Sequence, residues 1–387
     1  MTKRAKLWLT RGVTIAVLVA VAIMVVASWM QAGTVRADWL AVSHQTPVGA
    51  AVVVAVEPDR VVLSDNGGAN VAGVWGLVFD GGRAVVGDVE SGSDDRIVRS
   101  LLEVAGGLTP GTEVSLDVAV WSAGDAMDRF GLTEELLNGP EGPLALWTAP
   151  GVDDTWVVFV HGNGADQTQA LRMIPAVAEA GYPVAIASYR NDEVAGPSPS
   201  GTHGYGFDEW RDIQAVIDFG LGNGALDFVL VGYGSGGSIV GTYLYESRSA
   251  DRILGVVLDS PMLSLATAIE DAWIDQGVPG WTIGWTKAIA SMRFGLDLGA
   301  IDHVERAAEW TAPVLILHGR DDEVNPLDAA AAFAIARGDD ALLLTFPGAG
   351  PDALWNTDPT RYEAAVIGFV DDVAATVSAF EPVDPDR

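Results

Sequence analysis

The sequence predicts an α/β domain on a mostly parallel sheet, preceded by one transmembrane helix and a small β-rich domain, and three observations carry that prediction. An uncharged apolar run follows a basic N-terminus. Short apolar runs broken by turn signals come next. Beyond about residue 132, strand-length apolar runs alternate with helix-length segments, the pattern of βα units. With 387 residues and 49% hydrophobic content the chain has ample material for packed cores.

The first element follows Lys3, Arg4, Lys6 and Arg11. Residues 12–30, GVTIAVLVAVAIMVVASWM, carry no charge. At 1.5 Å per residue this run spans about 28 Å, close to the hydrocarbon thickness of a bilayer. The basic flank keeps the first residues cytoplasmic and sends the chain after Gln31 outside, giving a single-pass cell-membrane protein with an extracytoplasmic C-terminal part. A cleaved signal peptide has an apolar region of about 7–15 residues followed by a small-x-small site. Here the run is longer and ends in Trp29 and Met30, so residues 1–36 read as an uncleaved anchor.

Charge and cysteine content exclude several function classes. Twenty-two basic against 52 acidic residues give a net charge of -30, which repels nucleic acid; the acidity reads as a solvated surface. The absence of cysteine excludes thiolate catalysis, Cys-ligated zinc and disulfides. Nothing in the sequence calls for a cofactor.

Residues 37–125 form the β-rich domain. The runs AAVVVAV, DRVVLS, VWGLVF, RAVVGDV and VSLDVAVW are separated by Asn-Gly, Gly-Gly and Pro-Gly signals at hairpin spacing. Its one histidine, His44, has no partner pattern. In residues 126–387, strands are expected at TWVVFV, YPVAIAS, DFVLVGY, ILGVVLD, APVLILH and ALLLTF. Helices fall between and after them, the last at RYEAAVIGFVDDVAATV. The alternation lapses over about 261–310, where AWIDQGVPGWTIGW and WTKAIASMRF are too aromatic for a solvated loop. This segment reads as a helical lid over the carboxyl edge of the sheet; each tryptophan taken singly reads as core.

The stretch VLVGYGSGGSIVG, residues 229–241, is a strand, a tight turn and a helix, and three readings compete for it. Gly232, Gly234 and Gly237 spell G-x-G-x-x-G, with Asp259 ending the next strand, as in a dinucleotide-binding module. That fingerprint normally opens its domain, whereas two strands and two helices precede Gly232. The second reading is a nucleophile elbow, in which a strained strand-to-helix turn lifts a serine above the sheet.

Five further segments accompany the elbow: VVFVHGNGAD, IASYRND, VLDSPML, LILHGRDDEVNP and FPGAGPDALWN. With them the chain resembles, over essentially its whole length, the α/β-hydrolase superfamily, most closely a bacterial membrane-anchored branch with an N-terminal β-rich domain. The resemblance implies an α/β-hydrolase fold, an oxyanion hole at the N–H groups of Asn163 and Ser235, and a triad acid at Asp322. It also implies two losses. The family pattern G-x-S-x-G-G, laid over residues 232–237, puts Gly234 at the nucleophile, and the histidine position falls on Pro351.

Ser235 has Tyr233 two residues before it, where the elbow needs a small side chain, so its hydroxyl is expected to cap the helix. His161 and His318, at strand ends, read as structural. His203 and His303 lack the spacing of a triad member. The third reading, a degenerate elbow, has a physical rationale. The turn strains a residue bearing a Cβ by about 1–3 kcal/mol, and glycine relieves it. The function then expected is binding or structural, at the cell envelope. The contact is the membrane through the N-terminal helix, with a small-molecule or acyl ligand under the lid or an envelope protein as partner. A serine hydrolase of esterase or peptidase type using Ser235 is the rival, and a dinucleotide-binding module the third possibility.

Overall fold

The computed structural model describes residues 3–42, 48–65, 68–93 and 95–378; His44 lies outside them. Helix α1, Lys3–Asp38, is 36 residues long, or about 54 Å, so it outruns the apolar segment and the 1–36 anchor at its C-terminal end. Its apolar side chains from Val13 to Ile23 are exposed, and burial starts at Ser28. By length and apolar composition α1 is one helix able to cross a membrane.

The β-rich domain is a closed six-stranded barrel. Its strands are β1 (Val48–Val56), β2 (Arg60–Asp65), β3 (Trp75–Phe79), β4 (Gly82–Ser93), β5 (Arg96–Ala105) and β6 (Glu113–Asp117), in the order β1-β2-β5-β4-β3-β6. All six pairings are antiparallel, so alternate residues such as Val61, Leu63, Leu77, Ile97, Val114 and Leu116 point into one core. Strand β5 carries Arg99, which is fully buried. Its guanidinium donates to the carbonyls of Gly87, Ala69, Val71 and Gly73. Burial pushes its pKa down to about 10, with Asp88 opposing that shift. The charge is therefore kept by replacing water with four carbonyl dipoles.

Helix α2 (Ala123–Asp128) straddles the expected boundary at 125–126. The second domain adds two strands that periodicity did not separate out, β7 (Thr133–Asn138) and β8 (Pro143–Ala149), which pair antiparallel at one edge. The parallel part comprises β9 (Thr155–Val160), β10 (Val184–Ala187), β11 (Asp227–Tyr233), β12 (Ile253–Asp259), β13 (Val314–Gly319) and β14 (Ala341–Phe346). The eight strands are ordered β14-β13-β12-β11-β9-β10-β8-β7. A sheet covered on both faces has no reason to alternate, and β13 is buried at every position. Helices α3 (Ile174–Ala180) and α10 (Pro359–Ser378) close one face. Helices α4 (Trp210–Gly222), α5 (Ser235–Glu246) and α8 (Leu327–Arg337) close the other. The lid consists of α6 (Leu265–Asp275) and α7 (Gly280–Phe294), and α9 (Leu354–Thr357) precedes α10.

Two tertiary contacts position the site. Asn356 on α9 donates to the carbonyls of Val74 and Val118 in the barrel domain, and its own carbonyl accepts from Val74. The barrel is thereby held against the sheet domain. The last turn of α1 and the segment after it pack on the lid, with Ala32, Val35 and Leu40 buried among Leu265, Ile269, Trp273 and Ile283.

Candidate functional site

Strand β11 delivers the chain to Gly234, whose φ is 50° and ψ is -116°, and α5 starts at the next residue. The turn is clamped by backbone bonds. Gly234 donates to the Asp259 carbonyl over 2.8 Å, and its own carbonyl accepts from Met262 over 2.9 Å. A Cβ built on Gly234 would meet nothing within 4 Å, so the position has room for a side chain and only the backbone angle opposes one. The other glycines of the pattern have a packing reason. A Cβ on Gly232 would lie 2.7 Å from Gly237, which is how closely strand and helix approach. Asp259, the ribose ligand of the dinucleotide reading, is buried and accepts from the Tyr362 hydroxyl over 2.8 Å. Burial raises its pKa to about 7, against the pull of Arg172.

The structure brings Asn163 and Ser235 together, in an arrangement the sequence did not suggest. Ser235 makes no capping bond on α5, contrary to expectation; Gly234 is the N-cap residue. Its Oγ instead accepts the backbone N–H of Asn163 over 2.7 Å. The donor assigned to an oxyanion is thus satisfied by a hydroxyl from the neighbouring chain segment. His203 Nε2 stands 3.4 Å from the same Oγ, although sequence spacing gave no hint of it. Its Nδ1 accepts the Tyr205 N–H over 3.0 Å, which places the imidazole proton on Nε2, where it donates to Ser235. Glu209 Oε1 is 3.6 Å from Nδ1, but its carboxylate accepts from the backbone of Gly204 and Gly206. Burial holds the His203 pKa below its ordinary value.

Asp322 follows β13. Its Oδ1 accepts the N–H groups of Val324 and Asn325 at 2.9 and 2.8 Å, while Oδ2 is buried and makes no hydrogen bond among the described residues. Pro351 is exposed in the turn after β14. The inward-turned neighbour is Asp352, at φ 59°, whose Oδ1 accepts from Gln169 Nε2 over 2.9 Å. Burial raises the Asp352 pKa, Arg172 opposes that, and Asp322 adds to it, so the two carboxylates lie close enough to repel. Gln169 also accepts the Gly162 N–H, tying this turn to the Asn163 loop.

The remaining histidines among the described residues, His161, His303 and His318, are committed elsewhere. His161 bonds Gly162 O and Asp192 Oδ2, and the Asp192 charge raises its pKa despite full burial. His318 Nδ1 donates to Gly319 O over 2.9 Å. His303 lies between the Ser238 hydroxyl at 2.8 Å and the Tyr245 hydroxyl at 3.1 Å. Burial, with Arg306 assisting, pushes its pKa down to about 3. In the unfolded chain a histidine titrates near 6.5, so between about pH 6.5 and 3 the unfolded state binds the extra proton and stability falls as pH falls. Replacing His303 with Gln is expected to remove about 2 kcal/mol of the stability difference between pH 7 and pH 5, measured by urea unfolding against the parent. Equal pH slopes in the two proteins would refute the assignment.

Asn163 and His203 lie on a cleft of about 520 Å³ whose opposite wall is the barrel side, Arg83, Asp117 and Trp121. A second cavity of about 320 Å³ runs under the lid between Met262, Leu263, Ala268 and Ala329. Three successive backbone carbonyls after α1 strap the rim of the cleft. Trp39 O accepts from the Tyr205 hydroxyl, Leu40 O from the His203 N–H and Ala41 O from Asn163 Nδ2. Among the described residues no group of three or more His, Asp and Glu side chains is arranged to hold a metal ion.

Two family models match the chain. One, described as alpha/beta hydrolase fold, covers residues 155–298, from β9 through the lid helices. The other, domain of unknown function DUF8805, covers residues 52–117, the barrel. No curated protein matches by sequence. Among solved structures, an esterase from Pyrococcus furiosus superposes with a TM-score of 0.50 at 17% identity, covering 65% of this chain and 94% of its own. A thermophilic esterase from Thermogutta terrifontis superposes with a TM-score of 0.47 at 18% identity, covering 62% and 99%. At these identities the first likeness speaks to the fold alone.

Proposed function

We propose that this member of the α/β-hydrolase superfamily is a membrane-anchored, extracytoplasmic binding or structural protein of the cell envelope that has lost serine-hydrolase activity. The single observation that carries the reading is the state of the elbow. The reacting position is Gly234, and the Asn163 N–H beside it is taken by Ser235 Oγ at 2.7 Å. An oxyanion hole works because its donors wait for the charge that develops in the transition state. Here one donor is already used. Asp322 Oδ2, with no imidazole at Pro351 to orient, fits the same reading.

The anchoring part rests on α1, the one helix among the described residues long and apolar enough to cross a membrane. The basic residues before it support the cytoplasmic placement of the N-terminus. The cleft between barrel and sheet, not only the cavity under the lid, is then the contact surface for a small-molecule, acyl or protein partner.

A second reading is favoured by one observation, the 3.4 Å approach of His203 to Ser235, which with Glu209 outlines a displaced Ser-His-Glu set. Its tautomer is wrong for a base, because the proton already sits on the nitrogen facing the hydroxyl. One experiment separates the two. The full chain in detergent is expected not to label with a fluorophosphonate probe and to hydrolyse short acyl esters only at background. Turnover of about 1 to 10³ per second, abolished in Ser235→Ala, would establish the second reading instead.

A further inference from the structure

The exposed face of α7 continues the membrane-facing surface of α1, and we propose that this lid helix lies in the interfacial zone of the bilayer, beside the last turn of the anchor. The inference rests on the anchoring role of α1 proposed above. The sequence reading expected the lid tryptophans to be buried, and for Trp273 they are. Trp281 and Trp285 are 71% and 60% exposed, and Met292 is 74% exposed. These three share one side of α7 with Gly284 and Ala288, at spacings of three and four residues, so one helix face is apolar and uncovered from end to end. The opposite side, Ile283, Thr286 and Ala290, is buried.

A soluble lid would pay for such a face in water with no return; what covers it follows from where the helix sits. Helix α7 packs on the C-terminal part of α1, where Ser28, Ala32 and Val35 are buried. Arg293 donates to the Trp29 carbonyl over 3.1 Å and stacks over the Trp29 ring at 4.8 Å. Trp29 and Met30 end the continuous apolar run and polar Gln31 follows, so α7 stands at the depth where the hydrocarbon gives way to headgroups. Tryptophan is enriched at that depth, since its ring is apolar and its N–H seeks water. The charged groups agree with an interfacial position. Arg293 sits at the C-terminal end of α7, and Lys287 pairs with Glu270 over 2.8 Å on the side toward α6. The exposed Ile274, at the end of α6, adds to the apolar surface. Lipid contact along α7 would hold the lid, and the rim strapped by residues 39–41, at the membrane surface.

The test uses the full chain in liposomes of zwitterionic and anionic lipid. Because the protein has no cysteine, each of Trp281→Cys, Trp285→Cys, Met292→Cys, Val19→Cys and Val152→Cys carries one nitroxide label at one known place. Val19 lies on the apolar run of α1, and Val152, 96% exposed, on a loop before β9. Collision with oxygen, which concentrates in lipid, is compared with collision with a water-soluble nickel chelate. The oxygen-to-nickel ratio at 281, 285 and 292 is expected to exceed that at Val152 by about fivefold or more, as burial in the interface requires. A ratio equal to that at Val152 would overturn the proposal, and so would protection from both reagents, which would mean that protein covers the face. A lipid-like ratio at Val19 without one on α7 would sink the lid inference and leave the anchor. A water-like ratio at Val19 would sink the anchor, whatever α7 shows.

Discussion

The variant Gly234→Ser/Ser235→Ala/Pro351→His is expected to label with a fluorophosphonate probe under conditions where the parent chain does not. Each change answers one feature of the site. Position 234 has open space for a side chain, so its serine meets no clash and pays only for the positive φ, about 1–3 kcal/mol. Removing the Ser235 hydroxyl takes away the acceptor that now holds the Asn163 N–H, so that an oxyanion can take its place. An imidazole near Asp322 supplies the base and satisfies the buried, unbonded Oδ2. The double variant that keeps Ser235 should react more slowly, by a factor approaching about 10², since a single oxyanion donor is worth about 10²–10³ in rate. Single changes should do little, because serine and base act as a unit.

The structure also supplies a comparator for that experiment. Pro351 is exposed while Asp352 turns inward to Gln169, so an imidazole at 351 competes with the Asp352 carboxylate for the space beside Asp322. Substituting Asp352→His instead of Pro351→His tests the register by one residue. If only the 352 version reacts, the overlay is shifted. If neither reacts while circular dichroism shows a folded protein, the degenerate-triad reading fails. A rise in melting temperature on Gly234→Ser would contradict the strain argument independently.

The second large effect is on stability. Arg99→Met is expected to destabilise the barrel by about 4 kcal/mol or more, because four buried carbonyls lose their donor and each unsatisfied group costs about 1–3 kcal/mol. The loss should spread to the cleft. Arg99 holds the Gly73 carbonyl, and the adjacent Val74 is bonded to Asn356 of the sheet domain, so the barrel wall loosens with it. Arg99→Lys should recover only part of the loss, since one ammonium cannot reproduce a fork aimed at separate carbonyls. Thermal melts followed by circular dichroism read both. A shift under about 2 °C for Arg99→Met would show that the carbonyls find other partners.

Most of the architecture was legible in the sequence because it depends on local rules. The six parallel strands are apolar runs long enough to read and are bounded by helices, and the fold they predicted is the one present. Strand β7 escaped because TEELLN alternates weakly and lies at the edge of the sheet, where the apolar signal is thin, whereas β8, PLALWTA, is an inner, mostly buried strand whose apolar run was not separated out. The elbow was readable as a turn, since Gly234 and its neighbours obey a steric requirement of the backbone. Where the Ser235 hydroxyl points was not. That was decided by Asn163, 72 residues earlier in the chain, which reaches it only through the pairing of β9 with β11.

The same division explains the histidines and the lid. His203 comes within 3.4 Å of Ser235 because Leu40 O, Tyr205 N–H and Glu209 fix its loop, and no spacing rule links residues 40, 203 and 235. The lid tryptophans looked alike in sequence, yet Trp273 is buried while Trp281 and Trp285 are exposed, because burial depends on which helix face meets α1. By itself the sequence determined the α/β-hydrolase fold, the N-terminal apolar helix, the separate β-rich domain and the glycine turn at residue 234, all properties of short segments. Only the tertiary structure decided which groups meet in the cleft, because a hydrogen bond is made between atoms about 3 Å apart in space, and chain distance does not encode that.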